Sequence, residues 1–128
     1  MELSKVHHIA IIGSDYEKCK HFYVDILGLE VIREHYREDR KDWIIYLKLH
    51  DAVLELFIKQ GCPQRPGWPG QEAYGLRHLA FRVESVEETV KELNAAGVET
   101  EPIRMDTFTG EKMTFFHDPD GLPIELHE

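Results

Sequence analysis

The chain has 128 residues, of which 42% are hydrophobic and 10% aromatic, as in one folded domain or two small fused modules rather than a disordered chain. Its net charge of −9 and pI of about 5.3 argue against nucleic acid or an anionic membrane as the main partner. Only two cysteines are present, and no apolar run has the length of a signal-peptide core or a membrane span, so we expect a reduced, cytoplasmic protein.

The first half of the chain predicts one strand, one helix and three more strands. A buried strand is expected over 5–13, and Ser14 with Glu17 fits a capping box that starts a helix ending at Gly28. Three strand-like runs follow, over 29–36, 43–49 and 52–58. The next segment, 59–75, is rich in Pro and Gly and is predicted to be a linker or long loop.

The second half repeats the same order. A strand is predicted over 76–83, and Ser85 with Glu88 forms a second capping box before a helix that Gly97 ends. Strands are then predicted over 98–105, 112–117 and 123–127, the last two joined by an Asp-Pro-Asp-Gly turn. The chain therefore reads as two βαβββ modules, 1–58 and 76–128, that together form one domain.

The repeat extends to individual polar residues. His8 and His78 lie 70 positions apart within similar apolar runs, and so do Glu55 and Glu125. His7 has no histidine counterpart, since its equivalent is Arg77, and we expect it to be the outward neighbour of His8.

The apolar neighbours of these four residues are expected to pack under the helices, which places the four on the opposite sheet face. A single strand glutamate is usually a solvated edge residue, and a single strand histidine is usually a hydrogen-bonded core residue. The occurrence of two histidines and two glutamates at equivalent positions of the repeat favours a joint role over these single-residue roles. A pseudo-twofold relation would bring both pairs to one centre if the two sheets face each other. Two imidazoles and two carboxylates suit Ni, Co, Fe, Mn or Zn, with positions left for water or substrate.

Several stretches carry a family resemblance: HHIAI, FYVDILGLEV, LEL, RHLAFRV and DPDGLPIELHE. With them the chain resembles the vicinal oxygen chelate superfamily, most closely its glyoxalase I (lactoylglutathione lyase) branch. The resemblance implies an α+β fold in which two paired βαβββ modules form a cupped eight-stranded mixed sheet, the glyoxalase/bleomycin resistance/dioxygenase fold. It also implies a homodimer and one divalent metal ion per site, with Ni or Zn favoured. The implied metal ligands are His8, Glu55, His78 and Glu125.

The same resemblance implies a reaction and its base. A 2-oxoaldehyde–thiol hemithioacetal of the methylglyoxal type would isomerise through an enediolate to a 2-hydroxyacyl thioester, as in methylglyoxal detoxification. Glu125 is the expected proton carrier and Glu55 the second candidate. Glutathione-using members typically carry an arginine and an asparagine where this chain has Ile12 and Lys59. Arg82 and Lys59 are the candidate contacts for an anionic substrate.

Three alternatives stay open within the superfamily. CoA-thioester epimerases typically have glutamine at the position of Glu55, and fosfomycin-type resistance enzymes typically use three protein ligands. Non-catalytic resistance proteins that sequester a small molecule usually lack the ligand set. The four residues therefore favour a metal-dependent carbon–sulfur lyase.

Overall fold

A computed structural model describes residues 1–67 and 70–128, so residues 68 and 69 of the predicted linker lie outside the described residues. The chain divides into two compact units, Met1–Pro63 and Gln64–Glu128. The elements of the first unit are β1 (His8–Gly13), α1 (Tyr16–Lys20), a π-helical segment (His21–Ile26), β2 (Val31–Arg37), β3 (Asp42–Lys48) and β4 (Val53–Ile58).

The first unit has one four-stranded mixed sheet in the order β1-β4-β3-β2. β1 runs parallel to β4, whereas the other neighbours are antiparallel. A parallel pair needs a long crossover, and the helical segment between β1 and β2 begins that crossover. Side chains that alternate along β4 follow the two-residue period, with Leu54, Leu56 and Ile58 buried and Glu55 on the other face.

The helix of this unit ends at Gly28 as predicted, just after the C-cap Leu27, but it differs from its prediction at the N-cap and in its regularity. Asp15, not Ser14, is the N-cap, and its carboxylate accepts a hydrogen bond of 2.9 Å from the Lys18 amide. After Lys20 the helix widens to π geometry, seen in the bond from the Leu27 amide to the Phe22 carbonyl five residues earlier. The prediction of a single capping-box helix ending at Gly28 is therefore wrong in its cap and in its regularity.

The second unit repeats the topology. Its elements are β5 (Leu79–Arg82), α2 (Val86–Ala95), β6 (Arg104–Met105), β7 (Lys112–His117) and β8 (Pro123–His127), and its sheet order is β5-β8-β7-β6. Here Ser85 is the N-cap as predicted, and it accepts from the Glu88 amide. The α+β class and the repeated βαβββ order are confirmed, with four strands in each unit.

Two predicted strands of the second unit are shorter in the structure. The strand expected over 76–83 begins only at Leu79, because the Arg65 guanidinium takes the carbonyls of Leu76 and Arg77. The strand expected over 98–105 is reduced to Arg104–Met105. Pro102 has no amide proton to give to a ladder, and the Thr114 hydroxyl takes the Glu101 carbonyl at 2.7 Å.

Each unit has its own apolar core. In the first unit, the core consists of the buried face of β3 and β4 and the helical residues Cys19, Phe22 and Tyr23, of which Cys19 is fully buried. In the second, the fully or almost fully buried side chains are Val86, Leu93, Phe116, Ile124 and Leu126. Within the described parts of the chain, no helix combines the length and apolarity needed to cross a bilayer.

Candidate metal centre

In the first unit the sheet brings His8 and Glu55 to one face. The parallel register pairs Ala10 with Glu55, and His8 lies two residues before Ala10. The distance from His8 Nε2 to Glu55 Oε2 is 3.9 Å, which is too long for a hydrogen bond. The His8 side chain is 44% exposed and that of Glu55 19%. This pair is therefore open to solvent, with nitrogen and carboxylate facing each other.

The second unit builds the equivalent pair from His78 and Glu125. The register pairs Ala80 with Glu125, and His78 again lies two residues earlier, just before β5. Here Nε2 and Oε2 are 2.9 Å apart, and the side chains are 24% and 11% exposed. The His78 ring meets Phe115 edge to face, with ring centroids 5.2 Å apart. Its Nδ1 is buried without a hydrogen-bond partner among the described residues.

The sequence thus predicted which residues meet within each unit. Among residues 1–67 and 70–128, no group of three or more His, Cys, Asp or Glu side chains is placed to hold a metal ion. A centre that uses all four residues stays a prediction.

The donor chemistry of each pair suits a divalent ion. Neutral imidazole nitrogen and carboxylate oxygen bind such ions at about 2.0–2.2 Å, so two ligands at a right angle lie about 3 Å apart. The 2.9 Å separation of His78 and Glu125 matches this spacing, whereas the 3.9 Å separation of His8 and Glu55 is wider. Each pair therefore has the donor chemistry for a divalent ion, and the second pair also has the spacing.

His7 is exposed, as its predicted outward position implies. It also contacts its neighbour, which the sequence did not predict. Its Nδ1 lies 2.9 Å from His8 Nδ1, and the two rings meet edge to face.

The two candidate substrate cations have different surroundings. Lys59 Nζ lies 3.1 Å from the buried Asp42 carboxylate, which also accepts two bonds of 2.7 Å from Arg37. These bonds, first from Arg37 and then from Lys59, lower the pKa of Asp42 to about 2. Arg82 instead lies exposed on β5, two residues from Ala80, on the sheet face of Glu125.

Sequence reasoning missed His117. This residue lies on β7 two positions beyond Phe115, which is the register partner of Glu125. Its Nε2 is buried without a partner among the described residues. The alternation along KMTFFH was the signal that could have placed it on the Glu125 face.

His127, which shares that face, is held by neighbours. Its Nδ1 bonds to the Glu128 carbonyl at 2.9 Å and its Nε2 lies 3.3 Å from Asp106. The carbonyl contact and the Asp106 carboxylate raise the pKa of His127.

A repeated βαβββ sheet unit with one His–Glu pair on the same face of each copy defines a class of protein, and comparison with known families gives it a name. Residues 5–126 match the Glyoxalase/Bleomycin resistance protein/Dioxygenase superfamily, and the chain belongs to it. Members of this vicinal oxygen chelate superfamily are typically dependent on a divalent metal and are largely enzymes.

Two similar proteins match the chain over its whole length. "Uncharacterized protein YwkD" of Bacillus subtilis (strain 168) is 54% identical over 100% of this chain and 99% of its own. The crystal structure of the glyoxalase family protein from Enterococcus faecalis is 55% identical, with a TM-score of 0.92 and complete coverage of both chains. A "Probable lactoylglutathione lyase" of Vibrio cholerae is 29% identical over 98% of this chain and 91% of its own. The first two names assign no reaction, whereas the name of the more distant Vibrio cholerae relative does.

Proposed function

We propose that the protein is a metal-dependent lyase of the glyoxalase I type. It would isomerise the hemithioacetal of a thiol and a 2-oxoaldehyde to a 2-hydroxyacyl thioester. The observation that carries the proposal is the recurrence of the His–Glu pair at equivalent register positions, beside Ala10 in one unit and Ala80 in the other. The relative from Vibrio cholerae supports the choice of reaction within the superfamily.

The proposed ligands are His8, Glu55, His78 and Glu125. When bound, a divalent ion supplies Lewis-acid stabilisation of the negative charge that develops on the substrate oxygens. The histidines serve as neutral nitrogen donors and take no part in proton transfer. Ni or Zn is the favoured ion because of the family resemblance, and the imidazole and carboxylate donors are compatible with either.

Glu125 is the proposed proton carrier. Its carboxylate removes the proton from C1 of the hemithioacetal, the electron pair enters the enediolate, and the same proton returns to C2. Its side chain is 11% exposed, against 19% for Glu55, so a proton held there exchanges less readily with water. Its carboxylate lies 2.9 Å from His78 Nε2, on the sheet face where Arg82 also lies.

The thiol is proposed to differ from glutathione, or to be bound differently. Ile12 replaces the arginine typical of glutathione-using members, and it is 54% exposed on the His8 face of β1. Lys59, at the other such position, is engaged by Asp42. Arg82 is therefore the cation proposed to contact an anionic thiol substrate.

The proposal includes a homodimer in the cytoplasm. Superfamily members are often homodimers that act on small molecules. The thiols of Cys19 and Cys62, which form no disulfide in the described structure, would stay reduced in that compartment. Sedimentation equilibrium on the metal-loaded protein measures the assembly directly.

The test combines metal analysis with turnover. The protein is stripped, loaded in turn with Ni, Co, Mn and Zn, and assayed with methylglyoxal and a panel of thiols, glutathione included. We expect one tightly bound ion per chain and thioester formation with at least one thiol. Glu125→Gln should lower kcat by about 100-fold to 10,000-fold, as loss of a general base does.

Glu30→Gln is the matched control, because Glu30 is a surface glutamate paired with Lys48 in the same unit as Glu55. It should bind metal and turn over like the wild type, whereas Glu55→Gln should lose metal. A wild-type protein that binds no divalent ion would refute the ligand assignment. A loaded protein that is inert towards every hemithioacetal would refute the reaction and leave the ligands standing.

A further inference from the structure

We propose that His7 is a positioning residue that holds His8 in the tautomer able to bind a cation through Nε2; this inference rests on the metal site proposed above. The two Nδ1 atoms are 2.9 Å apart, within hydrogen-bond distance. The rings stand at 84° with centroids 5.2 Å apart, so the edge of one meets the face of the other. The His7 backbone is fixed as well, because its carbonyl accepts from the Val53 amide.

A hydrogen bond between two imidazole nitrogens has one donor, and the choice of donor decides what His8 can bind. If His8 donates through Nδ1, its Nε2 keeps a lone pair that faces Glu55. If His7 donates instead, the neutral His8 carries its proton on Nε2 and has no lone pair there. Glu55 is 3.9 Å away and makes no hydrogen bond that would keep a proton on Nε2. We assign the donor role to His8.

The second unit has no such device. The equivalent of His7 is Arg77, which pairs with Glu72, and His78 Nδ1 is buried with no hydrogen-bond partner among the described residues. His78 is held by other means, namely the Phe115 ring and the 2.9 Å contact with Glu125. His8 is almost twice as exposed, at 44% against 24%, and lacks both restraints. A ring partner at Nδ1 is what orients the more exposed histidine.

Metal-binding histidines generally donate the other ring N–H to a carbonyl, a carboxylate or water, and loss of that partner lowers metal affinity by about 10-fold to 100-fold. In this chain the acceptor would be a second histidine, the adjacent residue.

Three variants test the assignment on the full-length protein. His7→Phe keeps an aromatic ring beside His8 and removes the acceptor. His7→Asn restores an acceptor, since Asn Oδ1 and His Nδ1 are both bonded to Cγ. His50→Phe is the matched control, because His50 is a fully exposed histidine of the same unit that pairs only with its neighbour Asp51 among the described residues.

Two measurements are made on each. Calorimetric titration with Zn and with Ni gives the metal affinity. Long-range nitrogen–proton NMR of the metal-free protein gives the tautomer of His8. The NMR is recorded near pH 8.5, about two units above the usual pKa of imidazole, where the neutral ring predominates. We expect wild-type His8 to be protonated on Nδ1. Affinity should fall by about 10-fold to 100-fold in His7→Phe and return towards the wild-type value in His7→Asn. His50→Phe should match the wild type in both measurements.

The inference and the proposed function fail in different ways. Wild-type protein that binds metal while His7→Phe binds it equally well overturns the role of His7 and leaves the metal site intact. A wild-type His8 protonated on Nε2 likewise overturns the role of His7 and leaves the metal site intact. Wild-type protein that binds neither Zn nor Ni overturns both.

Discussion

Gly13, the last residue of β1, is packed so closely that a single added methyl group should be felt. A Cβ at this position would lie 2.5 Å from Cys19 Sγ, 3.3 Å from Ile58 Cδ1 and 3.4 Å from Leu56 Cδ1. The first distance is about 1 Å inside the usual contact range, and Cys19 is fully buried, so the sulfur has no open space to enter. The perturbation is Gly13→Ala.

Two opposing effects set the size of the change. Overpacking a core position costs about 1–3 kcal/mol, while replacing glycine by alanine in an ordinary backbone conformation stabilises by about 0.4–1 kcal/mol through the unfolded chain. The backbone of Gly13 is not in the left-handed region, so the second effect applies. We expect a net loss of about 1–2 kcal/mol in the free energy of unfolding.

Urea denaturation of a double-mutant cycle measures this. Cys19→Ala removes the sulfur that the new methyl group meets, so Gly13→Ala with Cys19→Ala should be more stable than the sum of the single changes predicts. Contacting residues typically couple by about 0.5–3 kcal/mol. Additive effects in the cycle, or a Gly13→Ala protein as stable as the wild type, would refute the claim that this contact limits β1.

Other predictions concern charges, caps and substrate. Asp42 has a pKa of about 2 in the folded protein against 3.8 unperturbed, so its ionised form stabilises the fold above pH 4. The urea midpoint of the wild type should therefore fall as the pH drops from about 4 to 2. Asp42→Asn should flatten that part of the pH profile. Asp15→Ala should cost about 1 kcal/mol of stability because it removes the N-cap acceptor, while Asp15→Asn, which retains one, should stay close to the wild type in thermal unfolding. Arg82→Met should raise KM for an anionic hemithioacetal with little change in kcat, whereas Lys59→Met should lower the unfolding midpoint through the loss of its contact with Asp42. A Lys59→Met enzyme with a raised KM and unchanged stability would reverse these two roles.

The repeat was the part of the fold that sequence could predict. The strands predicted over 112–117 and 123–127 match β7 and β8 residue for residue, because the Asp-Pro-Asp-Gly turn bounds both of them. The strand predicted over 98–105 is shorter in the structure for two reasons. Pro102, which the sequence shows, has no amide proton for a ladder, and the Thr114 hydroxyl takes the Glu101 carbonyl, a long-range contact with no local pattern. The predicted N-cap of the first helix was wrong because Ser14 and Asp15 are both good N-cap residues, and only the backbone conformation decides between them.

The site followed the same division. The shared sheet face of His8 with Glu55 and of His78 with Glu125 could be predicted from the alternation along each strand and from the internal repeat, whereas the parallel pairing that brings each pair together came from the structure. The contact of His7 with His8 could not, since it depends on where β1 begins. The pairing of Lys59 with Asp42 was equally hidden, because the two lie 17 positions apart and neither sits in a repeated motif.

The π-helical segment makes the helical region of the first module one residue longer than that of the second. The N-caps Asp15 and Ser85 are 70 positions apart, but the glycines that end the helices, Gly28 and Gly97, are 69 apart. The first helix therefore contains one extra residue, which a wide turn absorbs without shifting the strands that follow.

The offset of 69 between equivalent residues continues into the sheets. Tyr46 pairs with Glu55 and Phe115 with Glu125, and these two aromatic residues are also 69 positions apart. This offset ends in the next hairpin, which has one more residue in the second module, and Glu55 and Glu125 return to a separation of 70. The extra residue in the first helix and the extra residue in the second hairpin thus cancel, and the interval from histidine to glutamate is the same in both modules. The two modules differ in their connections but not in the spacing of the polar pair.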